Sequence, residues 1–353
     1  MVIVGNSIPQ AATWLQNGFP VAIPTETVYG LAANACDPDA LLKVFAAKKR
    51  PLFDPLIVHL PSLNAIVPYT QEIPPFAYAL WERYSPGPLT LVLRKSKLLP
   101  DLLSSGLPTA GFRIPAHPIA LDLLNAIDFP LAAPSANLFG RVSPTTASHV
   151  VDQLGDTIPY ILDGGPCLIG LESTIIDLSG PYPVLLREGG IPSHQIEDDL
   201  KISLQRPQHT FRLPEGFAPS PGTLESHYAP IVPMECYHNN EELSTAIRRI
   251  LLKKEIGWPN PEVEISERTP SLGMLRFQSD IPKTFRQLWE DSARGASLNV
   301  EILSQSGDLK EAARNFFAAL RKLERDNTYI LAEKAPDHGL GLAINDRLQR
   351  GSK

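Results

Sequence analysis

Three successive cations, Lys48, Lys49 and Arg50, end a helical pattern and are followed by Pro51. An ammonium and a planar guanidinium in a fixed arrangement can bind phosphate oxygens, the guanidinium through two parallel hydrogen bonds. Cations in the last turn of a helix also compensate the helix dipole without any ligand. Taken alone, the cluster is therefore typical of either a phosphate site or a simple helix end. Its size matches a triphosphate better than the footprint of a nucleic acid.

Two further groups of hydroxyls and small residues lie close together along the chain. Ser135 and Asn137 leave a buried strand pattern in the segment APSAN, where small residues let a phosphate approach the main chain. Ser143 and Pro144 predict the N-cap and first residue of a helix over 143–155. The free N–H groups of a helix N-terminus attract anions. Simple capping by Ser143 is compatible with that role.

Other polar segments carry weaker signals. Residues 24–30 (PTETVYG) follow an apolar strand and offer two hydroxyls, a carboxylate and a phenol within one turn, which is equally typical of a capped turn with a packed tyrosine. Glycines between 163 and 177 indicate either a ligand-binding connection or a tight hairpin. His59 lies in an apolar strand, where a core histidine is the commoner outcome. It binds a ligand only if it lies on the face that carries the cleft.

Several site classes lack their sequence signatures. No G-x-x-x-x-G-K-[ST] segment occurs, which excludes a simple P-loop nucleotide site. No G-x-G-x-x-G follows a strand, which argues against a dinucleotide site. No paired-histidine spacing identifies metal ligands. Cys36, Cys167 and Cys236 are odd in number and far apart, so they fit neither a disulfide framework nor a zinc site and favour a reducing cytoplasm.

Alternating apolar runs and helical patterns predict an α/β domain over residues 1–190 around a large twisted, mixed sheet. Asp37 and Pro38 predict the N-cap and first residue of a helix that runs to Lys49. Further helices are predicted over 117–127 and 143–155. Strands are predicted within 19–25, 55–60, 89–95, 112–115, 130–137, 160–165, 173–179 and 183–190. Open α/β sheets bind ligands at the ends of their strands, where the polar segments lie.

A change of composition separates this domain from the rest of the chain. Residues 191–221, rich in proline and polar residues, predict an interdomain linker, and 222–353 a smaller Rossmann-like α/β domain. Helices are predicted over 241–255, 308–324 and 339–351, and a strand within 328–336. The second helix carries one apolar face made by Leu309, Ala312, Ala313, Phe316, Phe317, Leu320 and Leu323.

Charge and composition limit the partners. The net charge of -6 argues against tight, unaided binding of a nucleic-acid backbone. No apolar run approaches the roughly 20 residues of a membrane helix, and MVIVGNSIPQ lacks the basic start of a signal peptide. We therefore expect a cytoplasmic enzyme that acts on a small anionic ligand.

The chain resembles the L-threonylcarbamoyladenylate synthase family, with its YrdC-like catalytic domain, in six segments that occur in the family's order. They are PTETVYGLAANA, AAKKRPLFDPLIVHL, SPGPLTLVL, GFRIPAHP, APSANLFGRVSPT and LESTIIDLS. The second half resembles the C-terminal domain of the two-domain members, through Ser226, His227 and Tyr228 in SHYAP and through residues 341–347. It departs from the family after Gly222, where many members have Met-Lys and this chain has Thr-Leu.

The resemblance implies an enzyme that joins L-threonine, bicarbonate and ATP into threonylcarbamoyl-adenylate and pyrophosphate, for modification of tRNA. Its basic and polar tetrad corresponds to Lys48, Arg50, Ser135 and Asn137. Threonine-side candidates are Thr27, Tyr29, His59 and Arg113, with Arg113 as the bidentate partner of the amino-acid carboxylate. ATP-side candidates, besides the tetrad, are Asp54, Thr109, Ser143, Ser173, Arg187 and Tyr228. Mg²⁺ is expected to arrive with ATP, and its protein ligands are unknown.

Three other functions share parts of this pattern: an RNA-binding module, a carbamoyl-transfer enzyme of hydrogenase maturation, and a plain amino-acid adenylating enzyme. The zinc-finger cysteine pairs and acylphosphatase-like region of the carbamoyl-transfer enzymes do not occur in this sequence. Bicarbonate dependence separates the adenylating enzyme from the family's reaction. We expect tRNA to bind only indirectly or weakly, through downstream transferase proteins. The second domain is expected to close over the site as a lid.

Overall fold

The computed structural model describes residues 2–206, 227–253, 271–292 and 297–353. It divides into two compact units, Met1–Glu225 and Ser226–Lys353. Both units combine helices and strands, which confirms the predicted fold class. No helix in the described part of the chain is long and apolar enough to cross a membrane.

The first unit is built on a ten-stranded mixed sheet. Its strands are β1 (Ile3–Gly5), β2 (Val21–Ile23), β3 (Gly30–Asn34), β4 (Ile57–His59), β5 (Leu89–Arg94), β6 (Thr109–Arg113), β7 (Leu131–Ala132), β8 (Tyr160–Leu162), β9 (Thr174–Asp177) and β10 (Val184–Arg187). They lie in the order β1-β8-β2-β3-β7-β4-β6-β5-β9-β10. Parallel pairs such as β4 with β6 alternate with antiparallel pairs such as β5 with β6. Many strands are short, so the polar segments at their ends are brought close to one another.

Seven α-helices accompany this sheet within the described residues. They are α1 (Ile8–Gln16), α2 (Pro38–Lys48), α3 (Leu63–Ile66), α4 (Pro75–Tyr84), α5 (Pro118–Asn125), α6 (Ala147–Leu154) and α7 (Ser193–Leu200). Helix α2 begins as predicted, because the Asp37 side chain accepts from Asp39 N and Pro38 is its first residue. The predicted cap of α6 is wrong: the helix starts at Ala147, and Thr146, not Ser143, accepts from the main chain.

The linker prediction fails in its first part. Residues 193–200 form helix α7, which buries Ile196 in the same apolar core as strands β5 and β9. The polar composition of this stretch concealed a helix with a single buried face. Residues 207–221 of the predicted linker lie outside the described part of the chain.

The two halves of the large sheet are covered differently. Around β2, β3 and β8, one face packs against α2 and α6 and the other against α1 and α5. Around β4, β5, β6 and β9, the main apolar core lies on one face, with Val58, Leu91, Phe112 and Ile176 pointing into it. The opposite face of these strands carries a much smaller apolar set, formed by Ile57, Val92, Ile175 and Leu186. That face forms the floor of the candidate site.

The second unit is a small parallel sheet with helices. Its strands β11 (Met234–Tyr237), β12 (Ser271–Arg276), β13 (Ser297–Ile302) and β14 (Tyr329–Glu333) lie in the order β11-β14-β12-β13. Its helices are α8 (Asn240–Lys253), α9 (Lys283–Ser292), α10 (Leu309–Asp326) and α11 (Leu340–Gly351). The predicted apolar face of α10 is confirmed for the buried Ala312, Ala313, Phe316, Phe317, Leu320 and Leu323, whereas Leu309 is half-buried.

Candidate active site

Lys48 joins the end of α2 to the loop that follows β7. Its Nζ donates to the main-chain carbonyls of Ser135 and Asn137, the second at 2.5 Å. The side chain is 1% exposed. Burial, with a smaller contribution from Arg50, lowers the pKa of Lys48 well below its usual value, and Asp54 opposes the shift. Three members of the predicted tetrad therefore meet directly, and Lys48 fixes the loop that presents the Ser135 hydroxyl.

Arg50 is held by the loop that follows it. Its Nε donates to Asp54 O at 3.0 Å, its Nη2 donates to Pro55 O at 2.8 Å, and Nη2 lies 2.8 Å from the Asp54 carboxylate. That contact is an ion pair without hydrogen-bond geometry, because neither Asp54 carboxylate oxygen accepts a hydrogen bond. Asp54 is fully buried. Main-chain oxygens thus already orient the guanidinium that is predicted to bind phosphate.

The charges around Asp54 define a cationic cluster, namely Lys48, Arg50 and Arg187 around this one carboxylate. Burial raises the pKa of Asp54, while its attraction to Arg50, Lys48 and Arg187, in that order, lowers it. Three basic side chains around Asp54 are an excess of basic over acidic groups at this carboxylate, although burial favours the neutral form of Lys48. A polyanion is the ligand that such an excess favours.

Arg187 reaches the cluster from β10 and is positioned by Ser173. Its Nε and Nη2 donate to Ser173 O at 3.1 and 2.9 Å, and Nη2 also donates to Ser173 Oγ at 3.1 Å. Ser173 Oγ lies 2.7 Å from Thr90 Oγ1, and both residues are fully buried. Ser173 therefore holds Arg187. Its predicted contact with the nucleotide stays a prediction, and its hydroxyl already contacts Thr90 and Arg187 in this structure.

A second charged group, the Glu26–Arg113 pair, lies at the end of β6. Arg113 Nη2 donates to Glu26 Oε1 at 2.7 Å and to Thr27 Oγ1 at 2.9 Å, and Nε donates to Gly87 O at 3.3 Å. No acceptor among the described residues bonds Nη1. The predicted bidentate contact with a carboxylate stays a prediction, and Nη1 is the nitrogen whose N–H groups face no acceptor among these residues.

His59 lies beside this pair, since it is in register with Arg113 on the neighbouring strand. It is 2% exposed, and burial, with a smaller contribution from Arg113, lowers its pKa from 6.5 to about 3. Its Nδ1 lies 3.2 Å from Ile57 O, which assigns the proton of the neutral ring to Nδ1. Nε2 is then an acceptor, suited to a hydroxyl or ammonium donor.

Two residues predicted to contact a ligand already have protein partners. The Tyr29 hydroxyl donates to Gly165 O at 2.8 Å, lies 3.0 Å from Asp163 Oδ1 and accepts from Gly164 N, so it anchors the glycine-rich loop. Burial raises its pKa. Ser143 Oγ donates to Glu172 Oε1 at 2.6 Å, and its predicted place at a helix N-terminus is lost with the later start of α6.

A flat apolar floor lies beside the charged groups. Thr109 and Gly111 of β6, with Ile57, Val92 and Ile175, line a small pocket on the open face of the sheet. A Cβ on Gly111 would stand 3.0 Å from Thr90 Cγ2 and 3.5 Å from Ile57 Cγ1. The missing side chain keeps the floor flat, as a planar ring requires. The contact of Thr109 with ATP stays a prediction.

Tyr228 belongs to the second unit. Its ring contacts the ring of His227 at 4.1 Å between centroids, and the Arg347 guanidinium lies 5.4 Å from its centroid. Ser226 lies outside the described residues. The proposed contact of Tyr228 with ATP stays a prediction.

Sequence reasoning missed Glu26, Thr90 and Glu172 as contributors to the site. Glu26 stands inside the quoted segment PTETVYG, and an acid between two threonines was the available signal. Thr90 and Glu172 act through partners distant in sequence, Ser173 and Ser143. No local pattern identifies such pairs.

Comparison with known proteins places this geometry in a family. Residues 13–189 match the Sua5, YciO and YrdC family model, described as "Telomere recombination", and residues 191–352 match the model described as "Threonylcarbamoyl-AMP synthase, C-terminal domain". The chain belongs to the Sua5/YciO/YrdC family. Together the two models span both units of this Sua5-like chain.

Relatives align with this family member over almost its whole length. Threonylcarbamoyl-AMP synthase of Pyrococcus abyssi is 38% identical over 345 residues, which is 97% of this chain and 93% of the relative. The Bacillus subtilis protein of the same name is 36% identical over 354 residues, 98% of this chain and 92% of its own. The crystal structure of P. abyssi Sua5 complexed with L-threonine matches with a TM-score of 0.83 and 36% identity, covering 100% of this chain and 97% of that one.

The neutral state of His59 predicts a specific pH dependence of stability. Its folded pKa of about 3 lies below the unfolded 6.5, so the unfolded chain binds the extra proton and stability falls as the pH drops below 6.5. This one group should remove about 2 kcal/mol of unfolding free energy between pH 7 and pH 5. In denaturant unfolding, His59→Gln should lose less unfolding free energy between pH 7 and pH 5 than wild type does, by about that amount.

The exposed His194, on α7, provides the matched control. His194→Gln should keep the wild-type pH dependence. An identical dependence in wild type and His59→Gln would contradict the assignment of a neutral, buried His59.

Proposed function

We propose that this protein is a threonylcarbamoyl-AMP synthase that uses ATP, L-threonine and bicarbonate. The observation that carries the proposal is the cleft of two unlike halves: a cationic cluster for a polyphosphate and a compensated Glu26–Arg113 pair for an amino acid. The full-length similarity to proteins of that name supports it. The threonine complex of P. abyssi Sua5 supports the choice of amino acid.

The cationic cluster is the proposed triphosphate site. Lys48, Arg50 and Arg187 are already held by main-chain carbonyls, so little reorganisation precedes phosphate binding. The flat floor around Gly111 and Thr109 is suited to the adenine ring, which needs an apolar surface and few polar contacts.

The half of the cleft that contains the Glu26–Arg113 pair would bind both ends of the amino acid. Arg113 Nη1 is the proposed donor to the carboxylate. His59 Nε2 would accept from the side-chain hydroxyl or the amino group. Thr27 Oγ1 accepts from Arg113 and lies 2.7 Å from Thr25 Oγ1, which itself donates to Val28 O. Thr27 therefore donates to Thr25 and keeps one lone pair to accept from a substrate donor.

The proposed reaction has two steps. The threonine amine combines with bicarbonate to give a carbamate and water. A carbamate oxygen then attacks the α-phosphorus of ATP, the bond to the β-phosphate oxygen breaks, and pyrophosphate leaves. Positioning and charge neutralisation are the main requirements, so no protein nucleophile is needed. Lys48, Arg50 and Arg187 would offset the charge that develops on the pyrophosphate.

Mg²⁺ is proposed to enter with ATP rather than as a metal held by the protein. No group of three or more His, Cys, Asp or Glu side chains that could hold a metal occurs among the described residues. The buried carboxylates of the cleft, Asp54 and Glu26, each face an arginine. Phosphate oxygens and water are the ligands that this arrangement leaves to the ion.

The mixed anhydride formed is reactive and must be consumed by an acyl transfer. We propose that downstream transferase proteins move the threonylcarbamoyl group to tRNA. The net charge of -6 supports a role in which tRNA binds this protein weakly or only through them.

Omitting one substrate at a time tests the proposed function. Purified full-length protein is incubated with ATP, Mg²⁺ and L-threonine, with bicarbonate present or stripped out, and pyrophosphate and product mass are measured. We expect pyrophosphate and threonylcarbamoyl-adenylate in equal amounts, and neither without bicarbonate. Pyrophosphate release that ignores bicarbonate would indicate a plain amino-acid adenylating enzyme. A preference for another amino acid, such as serine, would also contradict the proposal.

Charge removal from the cluster gives a second prediction. Lys48→Ala and Arg50→Ala should each lower turnover by about 10²-fold or more, because each removes a cation positioned for the leaving pyrophosphate. Steady-state rates at saturating threonine provide the measurement.

Lys49 is the internal control because it is exposed and adopts a left-handed conformation, with φ 51°. Lys49→Asn removes a charge from the same tripeptide and tolerates that conformation. It should retain activity within about twofold, because a change at an exposed site usually has little effect. Equal losses in all three variants would mean that general electrostatic attraction, not placement, explains the cluster.

A further inference from the structure

Glu26 binds two segments of the cleft with its two carboxylate oxygens. Oε1 accepts from Arg113 Nη2 at 2.7 Å, and Oε2 accepts from Ala116 N at 3.1 Å. Its main-chain carbonyl accepts from Ile169 N at 2.8 Å, in the glycine-rich loop. The side chains of Glu26 and Arg113 are 6% and 5% exposed. This carboxylate is therefore a fixed part of the site rather than a surface charge.

The geometry of this pair determines what Arg113 can offer to a ligand. Glu26 and Thr27 share Nη2, and Gly87 O accepts from Nε. The guanidinium is thereby held in one plane, and its remaining N–H groups, on Nη1, lie on a single edge. Without Glu26, Nη2 would lose its anionic partner, and the Arg113 guanidinium could rotate towards other acceptors.

The charge of the pair differs from that of the cationic cluster. Arg113 and Glu26 cancel, and the neighbouring His59 is neutral because its pKa is about 3. The cationic cluster holds three basic side chains, two of them guanidiniums, around the Asp54 carboxylate. A zwitterion carries no net charge and gains little from an excess of positive charge, whereas a phosphate gains strongly. The two halves therefore favour different ligands.

We propose that Glu26 is the specificity-determining and positioning residue of the threonine half: it fixes Arg113 with Nη1 towards the substrate carboxylate and cancels its charge, so that this half accepts a zwitterionic amino acid and excludes phosphate. This rests on the proposed function, since it takes threonine as the amino acid. It gives one cleft two subsites that do not compete for the same anion. A triphosphate bound against Arg113 would leave no place for the amino acid.

Glu26→Gln tests both parts of this proposal. Glutamine has nearly the same shape, but it carries no charge and presents an N–H₂ group where one oxygen stood. L-threonine binding is measured by calorimetry without ATP, and inorganic phosphate is titrated as a competitor against threonine. We expect threonine binding to weaken about tenfold or more, as expected for the loss of a charge-assisted hydrogen bond. Inorganic phosphate should compete with threonine in the variant at concentrations that leave wild type unaffected.

Glu197→Gln is the matched control in the same unit. Glu197 also accepts from one main-chain N–H, that of Leu204, and from one arginine, Arg206. It should leave both measurements at the wild-type values. Thermal unfolding of both variants separates a loss of folding from a change of specificity.

Each outcome decides one part of the proposal. Threonine affinity unchanged in Glu26→Gln would overturn the positioning role. Weaker threonine binding without new competition by phosphate would overturn the charge role and reduce Glu26 to a structural link. If wild type itself bound no threonine, the proposed function would fail instead, which keeps the two failures distinguishable.

Discussion

Buried charge is the constraint on which the rest of this structure depends. Lys48, Arg50, Arg113 and Arg187 are each at most 7% exposed. Taking a charge out of water is expensive unless it is paired and hydrogen-bonded. The carboxylates of Asp54 and Glu26 provide only part of the compensation. Further acceptors are main-chain carbonyls, those of Ser135, Asn137, Asp54, Pro55, Ser173 and Gly87.

The use of main-chain carbonyls as acceptors explains why the site lies where strands end. A carbonyl inside a sheet is used by the neighbouring strand, but one just beyond the sheet remains to accept from a cation. Short strands such as β4 and β7 bring several such carbonyls together. Because main-chain atoms do not change rotamer, the cations are held before any ligand arrives. Such preorganised charge is the main contribution that a protein makes to phosphoryl transfer.

Patterns that act over a few residues were predicted from the sequence. Asp37 with Pro38 marks the start of α2, and the apolar spacing in 308–324 marks the buried face of α10. The α/β class followed from the strand and helix patterns, and the grouping of Lys48 with Ser135 and Asn137 from the family resemblance. Helix α7 was missed, because a polar helix with one buried face has almost the composition of a linker.

Contacts between distant residues could not be predicted in this way. The hydroxyls of Ser143 and Ser173, which the family resemblance implies as ATP-side contacts, also bind Glu172 and Arg187 in this fold. The Tyr29 hydroxyl likewise contacts a loop more than a hundred residues away. Arg113 has a carboxylate partner, Glu26, that is 87 residues away in sequence. A hydroxyl or guanidinium has a fixed number of bonds, and only the fold shows how many are already made.

The central claim is that one cleft keeps a polyphosphate and an amino acid apart by the placement of charge. A crystal structure of this protein with L-threonine and a non-hydrolysable ATP analogue tests it most directly. We expect the triphosphate against Lys48, Arg50 and Arg187, and the threonine carboxylate within hydrogen-bonding distance of Arg113 Nη1. Phosphate oxygens bound to Arg113, or a threonine carboxylate bound within the Lys48 cluster, would contradict it.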